Sequence, residues 1–232
     1  MKAKIFSRDR CIGTTNLHVG DESMGGLYGN FLPTEAYYKY VQKAVWKFWS
    51  ATKPDYDQWE ALKLSVQLEN GCFLFAAGGF TLHDLKERSD EVKRIDIAGV
   101  DRYVLEDFFL GKEPKPFLEE PWEPVSIEEK LAFEKEVKKE VGVYRSIFGF
   151  YSLWPNEHDL VGFELSALGF DQRSHDVLFV TRKEDDSREF AVVHLTWKGA
   201  KEVKGFPQVE FYKSFEEFKS SRMYLDKGDL ED

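Results

Sequence analysis

The chain has 232 residues, of which 42% are hydrophobic and 16% aromatic, with twenty Phe, ten Tyr and six Trp. That supply of apolar side chains suffices for a packed core and excludes wholesale disorder despite a 32% charged fraction. The net charge of −10 argues against unaided nucleic-acid binding, whose affinity rests on basic side chains displacing phosphate counterions, and favours a basic partner through electrostatic steering. No apolar run approaches the roughly 20 residues needed to span a bilayer. The amino terminus MKAKIFSRDR lacks the layout of a signal peptide. With Cys11 and Cys72 read as buried free thiols, the expected compartment is the cytoplasm.

In chain order, short β-like runs fall around Lys4–Phe6 and Gly13–Val19, followed by a Gly-rich connection, GDESMGGLYGNF, over Gly20–Phe31. Thr34 is positioned to cap a helix running to about Ala51, in which Tyr37, Val41, Ala44, Val45 and Phe48 recur at helical spacing. Leu62, Leu64, Val66 and Leu68 alternate with polar residues, the pattern of a half-buried strand. Asn70-Gly71 then predicts a two-residue type I′ hairpin into CFLFAA. A strand near Arg94–Val100 and a short helix near Arg102–Leu110 complete a first module, residues 1–110.

Residues 111–125, GKEPKPFLEEPWEPV, hold four of the eight prolines and predict an extended connector. The second module, residues 126–232, opens with the capping box Ser126–Glu129 and a helix to about Val141, with Ile127, Leu131, Val137 and Val141 as its apolar stripe and a Glu134–Lys138 pair on its polar face. Phe148–Trp154 and Gly162–Phe170 are strand or loop material. Val177–Val180 and Phe190–Trp197 read as central strands buried on both faces, joined by the polar stretch Thr181–Glu189. A strand over Val209–Tyr212 precedes a second capping box, Ser214–Glu217, and a last helix. The expected architecture is α+β: two modules, each an antiparallel or mixed sheet with packed helices.

No motif assembles a catalytic site, so no catalytic residue, metal ligand set or cofactor is assigned. Ser23 sits in the Gly-rich loop beside Asp21, where it would be exposed, but there is no nucleophile elbow. The same loop departs from the phosphate-binding spacing and carries Asp21 and Glu22, which repel phosphate. The histidines are scattered. One constellation survives: a hairpin whose ends meet would bring His175 and Asp176 near His194 and Thr196, with Glu157, His158 and Asp159 in a neighbouring loop.

The stretches HDVLFV, EFAVVHLTWKGAKEV and FYKSFEEFKSSRM resemble a family of bacterial proteins with a D-V-L-F strand, here Asp176–Phe179, followed by an A-V-V-H-L-T-W strand, here Ala191–Trp197, and a C-terminal helix. Gly20–Tyr37 is similar to a G-D-P-S-M-G…G-x-F-x-P-T-x-A-Y pattern, with Glu22 in place of the proline. The resemblance implies bacterial cytosolic origin and a shared fold, and transfers no catalytic residue. In size, acidity and aromatic richness the chain is also similar to immunity proteins of bacterial toxin systems. The functional expectation is therefore a non-enzymatic binding protein for a basic protein partner. The alternative is a small-molecule or metal-dependent enzyme with its site between the modules. Binding candidates are His175, Asp176, His194, Thr196, Asp21 and Ser23.

Overall fold

A computed structural model describes residues 1–111, 115–142, 158–183, 188–203 and 205–228. The Phe148–Trp154 run, Glu157 and Asp185-Asp186 lie outside the described residues. The fold is α+β, with three antiparallel sheets and several helices. The chain divides into two compact units, Met1–Pro116 and Phe117–Asp232.

The first unit contains strands β1 (Lys2–Ser7), β2 (Arg10–Asn16), β3 (His18–Val19), β4 (Leu27–Asn30) and β5 (Leu32–Pro33), then helices α1 (Glu35–Tyr40), α2 (Gln42–Ser50) and α3 (Tyr56–Glu60). Strands β6 (Leu64–Leu68), β7 (Ala76–His83) and β8 (Arg94–Val100) follow, and helix α4 (Arg102–Leu105) runs on into a π-helical turn at Glu106–Leu110. They build two four-stranded sheets, β5-β2-β1-β6 and β3-β4-β8-β7. The Gly-rich stretch, expected to be loop, supplies β4. There β4 comes so close to β2 that a Cβ on Gly29 would lie 2.3 Å from Thr15 Oγ1, a position only glycine tolerates.

Three local expectations are corrected. The first helix is two: Val41, at φ −118°, breaks it, and the Thr34 hydroxyl donates to Cys11 O at 3.0 Å instead of capping. The hairpin after β6 has the three-residue loop Glu69-Asn70-Gly71, with Gly71 at φ 90° and Asn70 not in the left-handed region, closed by Leu68 N–H to Cys72 O at 2.9 Å and Leu74 N–H to Val66 O at 2.8 Å. This is a loop with one left-handed glycine, not the two positive φ angles of type I′. Beyond Leu74 the chain leaves for the other sheet, where β7 pairs with β8.

The second unit contains β9 (Trp122–Pro124), α5 (Ile127–Val141), β10 (Glu164–Asp171), β11 (Asp176–Arg182), β12 (Arg188–His194), β13 (Gln208–Tyr212), α6 (Phe215–Phe218), a π-helical turn at Lys219–Met223 and α7 (Tyr224–Gly228). The sheet order is β13-β12-β11-β10-β9, all antiparallel. The proline-rich stretch thus contributes its Trp122–Pro124 segment as an edge strand, the place in a sheet where proline is tolerated. Phe117 and Trp122 of this stretch are buried.

Helices flank both faces of this sheet. On one, Phe133 of α5 meets Phe170 of β10 at 5.5 Å. On the other, Phe215 and Phe218 of α6 pack on Phe117, Phe190, Tyr212 and Trp122. Val177–Val180 and Phe190–Val193 are accordingly buried on both sides. The Ser126 capping box forms. At Ser214 the hydroxyl accepts from Glu217 N–H at 3.1 Å, while Glu217 reaches back one residue further, to Lys213 N–H at 2.6 Å. Along α5 the buried positions are Ile127, Lys130, Phe133, Glu136, Val137, Glu140 and Val141, and Glu134 pairs with Lys130, which also bonds Ser166 Oγ at 2.6 Å. Ile127, Val137 and Val141 of the expected stripe are thus buried, Leu131 is half-buried, and charged residues share the buried side of the helix.

Candidate functional site

The register of the second sheet aligns Trp122, Asp171, Asp176, His194 and Gln208 in one row across all five strands. Directly paired residues in a sheet share a face, so the row is polar along one end of the face that α6 and α7 cover. Asp176, nearly buried, has an oxygen toward each side: Oδ1 lies 2.9 Å from His194 Nδ1 and Oδ2 accepts from Arg222 at 2.7 Å. Because a carboxylate only accepts, His194 Nδ1 carries the proton of that bond. Nε2 has no protein partner among the described residues, and the imidazole is 44% exposed.

Arg222 extends the network. It reaches Asp226 Oδ2 at 2.9 Å and Glu210 Oε2 at 3.3 Å, while Trp122 Nε1 donates to Asp226 Oδ2 at 2.9 Å. Burial works against the guanidinium charge, but the bond to Asp226 and the surrounding carboxylates outweigh it and push its pKa further up. Burial, seconded by its 2.7 Å bond to Glu210, raises the Tyr212 phenol. The arrangement pins the C-terminal helix to the sheet.

The predicted cluster separates here. His175 turns outward in the β10–β11 turn, at φ 61° and exposed, with its N–H bonded to Asp171 O at 3.0 Å. His158 is tied elsewhere, its Nε2 2.7 Å from Pro207 O. Thr196 belongs to a second arrangement, built where β12 runs out.

In that arrangement Glu140 of α5, 1% exposed, accepts two backbone N–H groups, from Thr196 at 3.1 Å and Trp197 at 2.6 Å. Glu136, one turn earlier, accepts Gly199 N–H at 2.6 Å. Glu202 takes the Thr196 hydroxyl and Lys198 Nζ, the latter at 2.8 Å, and its own N–H returns to Glu140 O at 2.9 Å. The bond from Lys139, then that from Gly199 N–H, holds the Glu136 carboxyl below its usual range; Lys198 and then Thr196 do the same for Glu202. Held in this clamp is Trp197, at φ 58°, a left-handed conformation that is an outlier for a bulky residue. Its indole touches Phe133 with ring centroids 5.7 Å apart and is otherwise 48% exposed.

In the first unit, Ser23 Oγ donates to Asp21 Oδ1 at 2.6 Å and Met24 N–H reaches the same oxygen at 3.2 Å. These bonds, the Ser23 one foremost, lower the Asp21 pKa. The pair closes a local turn, so the serine is a donor to its neighbour and has no base to activate it. Cys72 is buried, which pushes its thiol up and away from the reactive thiolate. Asp84, also buried, joins the Tyr37 hydroxyl at 2.7 Å and Gln42 Nε2 at 3.0 Å, holding α1 and α2 to the end of β7.

Among the described residues no three His, Cys, Asp or Glu side chains are grouped to hold a metal ion, and no helix is long and apolar enough to cross a membrane. The sequence pointed to Asp176, His194 and Thr196 but missed Arg222, Glu136, Glu140 and Trp197. The available signal was the i,i+4 spacing of Glu136 and Glu140 inside the stripe Phe133, Val137, Val141: two acids on a buried helix face require donors. Comparison with family models, curated proteins and solved structures finds no match to this chain.

Proposed function

We propose that this chain is a non-enzymatic binding protein that engages a basic protein partner through the surface around Trp197, in the manner of a toxin-neutralising immunity protein. The observation that carries the reading is an exposed tryptophan fixed in a strained backbone conformation by buried glutamates. Such strain costs on the order of 1–3 kcal/mol and persists only where the surroundings over-determine it, which happens preferentially at ligand-contacting positions. Tryptophan is enriched among the few residues that dominate interface energies. A rotamer-rich side chain ordered at an interface loses about 0.5–1.5 kcal/mol, a cost reduced when its backbone is already held. The net charge of −10 supports a basic partner, since complementary charge raises association rates. The test is affinity capture from the native host with wild-type and Trp197→Ala protein. A stoichiometric basic protein, released by moderate salt and lost in the variant, is the expected result; a partner held equally by both proteins refutes the role of Trp197.

A second reading, acid–base or metal-assisted chemistry, draws on His194. A carboxylate holding one ring nitrogen while the other faces outward is how proteins orient a general base or a metal-ligating imidazole. Elemental analysis of protein purified without chelator, repeated on His194→Ala, decides it: stoichiometric metal lost in the variant would favour this reading.

A further inference from the structure

The outer face of β5-β2-β1-β6 carries an open groove of about 580 Å³, within the roughly 300–1,000 Å³ range of small-molecule sites. The register sets out its lining in two rows. One runs Asn16, Lys2, Glu69; the other runs Leu32, Thr14, Lys4, Gln67. Lys2 and Lys4 are therefore neighbours on one face of the central strand, ~7 Å apart at the backbone by strand rise. Neither ammonium has an ion-pair partner among the described residues.

In a chain where 42 acids outnumber 32 bases, carboxylates to neutralise them are abundant. Yet the flanking positions carry Asn16 and Thr14, neutral groups that donate and accept hydrogen bonds, and Gln67, whose Nε2 donates to Gly71 O at 3.1 Å. The single acid, Glu69, turns its Oε1 to the backbone N–H of Lys2 at 3.0 Å. Leu32, 63% exposed, adds an apolar spot beside Thr14. We infer that this groove binds a small organic anion with two acidic groups on a short carbon skeleton, one group for each lysine, the skeleton lying toward Leu32 and the amide and hydroxyl side chains fixing its orientation.

The inference is independent of the Trp197 surface, and the experiment reads the first unit alone. Backbone amide shifts of the full chain are followed during titration with adipate, hexanoate and fructose 1,6-bisphosphate at low ionic strength, alongside Lys2→Gln, Lys4→Gln and the double variant, whose folding is checked by circular dichroism. Saturable shifts of Lys2–Lys4, Thr14–Asn16 and Gln67–Gly71 with adipate or the bisphosphate are expected, and whichever binds tighter separates carboxylate from phosphate ligands. Hexanoate should bind at least about tenfold more weakly, as should the double variant toward the diacid. No shift with either two-acid probe up to ~10 mM, equal affinity for hexanoate, or unchanged affinity in the double variant overturns the inference.

Discussion

The strain at Trp197 can be measured by comparing two truncations of the same side chain, Trp197→Ala and Trp197→Gly. Both remove the indole, its contact with Phe133 and its buried area, so these losses cancel in the difference. What remains is the backbone. At an ordinary position with negative φ, glycine is less stable than alanine by about 0.5–1 kcal/mol, because it loses more freedom on folding. At φ 58° alanine bears the left-handed penalty of about 1–2 kcal/mol, which glycine escapes. The order therefore inverts, with Trp197→Gly the more stable by about 0.75 kcal/mol at the mid-range values. With an m-value of about 2 kcal/mol/M in urea this moves the unfolding midpoint by about 0.4 M. Equilibrium urea unfolding of both variants, with equal m-values, reads it directly. An alanine variant as stable as the glycine variant, or more so, would refute the strain and with it the argument that the glutamate clamp exists to present this residue.

Two further outcomes follow from the same unit. Arg222→Met leaves Asp176 and Asp226 without their guanidinium; breaking a buried pair costs about 3–5 kcal/mol, and since Arg222 is 24% exposed the expected loss is nearer ~2–3 kcal/mol. A loss below ~1 kcal/mol, the range of a surface ion pair, would show that the network is solvated. The 196–202 loop is expected to loosen in acid. Glu136 and Glu202 have depressed folded-state pKa values, so their stabilising contribution is complete above the ordinary glutamate value near 4.3 and is lost as pH falls through the lower folded values. Exchange protection of the Gly199 amide, constant from pH 8 to 5 after correction for intrinsic rates and falling below pH 4, is the check; protection lost near pH 6 would implicate a different group.

The elements legible in the sequence were those whose pattern depends on neighbours along the chain. The alternation before Leu68, the Ser126 capping box and the doubly buried run Val177–Val180 each report local geometry, and each formed; the run expected over Phe190–Trp197 is a doubly buried strand only to Val193, and the strand ends at His194. Elements that depend on distant packing were misread. The Gly20–Phe31 stretch looked like loop because its glycines carry no hydrophobic signal, but Gly29 is there to let β4 approach β2, a requirement imposed by residues at Thr15 and Asn16. Thr34 had the right chemistry for a cap, yet its oxygen accepts no helix N–H and its hydroxyl donates to the Cys11 carbonyl on β2. Pro121 and Pro124 spoke against a strand, yet Trp122–Pro124 pairs with β10 at the edge of the sheet, where a missing N–H is tolerated.

The same distinction explains the site. Asp176 and His194 could be paired from the sequence because a hairpin register is a local property, and they are direct cross-strand partners. Thr196 was placed with them by its number, whereas the chain turns after His194 and delivers Thr196 to α5. On α5 the sequence assigns only the Glu134–Lys138 pair, to the polar face. Glu136 and Glu140 differ because backbone N–H groups 56 to 63 residues further along the chain need acceptors there, and a carboxylate bonded to amides is stabilised where an unpaired one would be costly. A buried acid at helical spacing within an apolar stripe is therefore a prediction of a distant loop that must come to it. In this chain that loop carries the one tryptophan held at positive φ among the described residues.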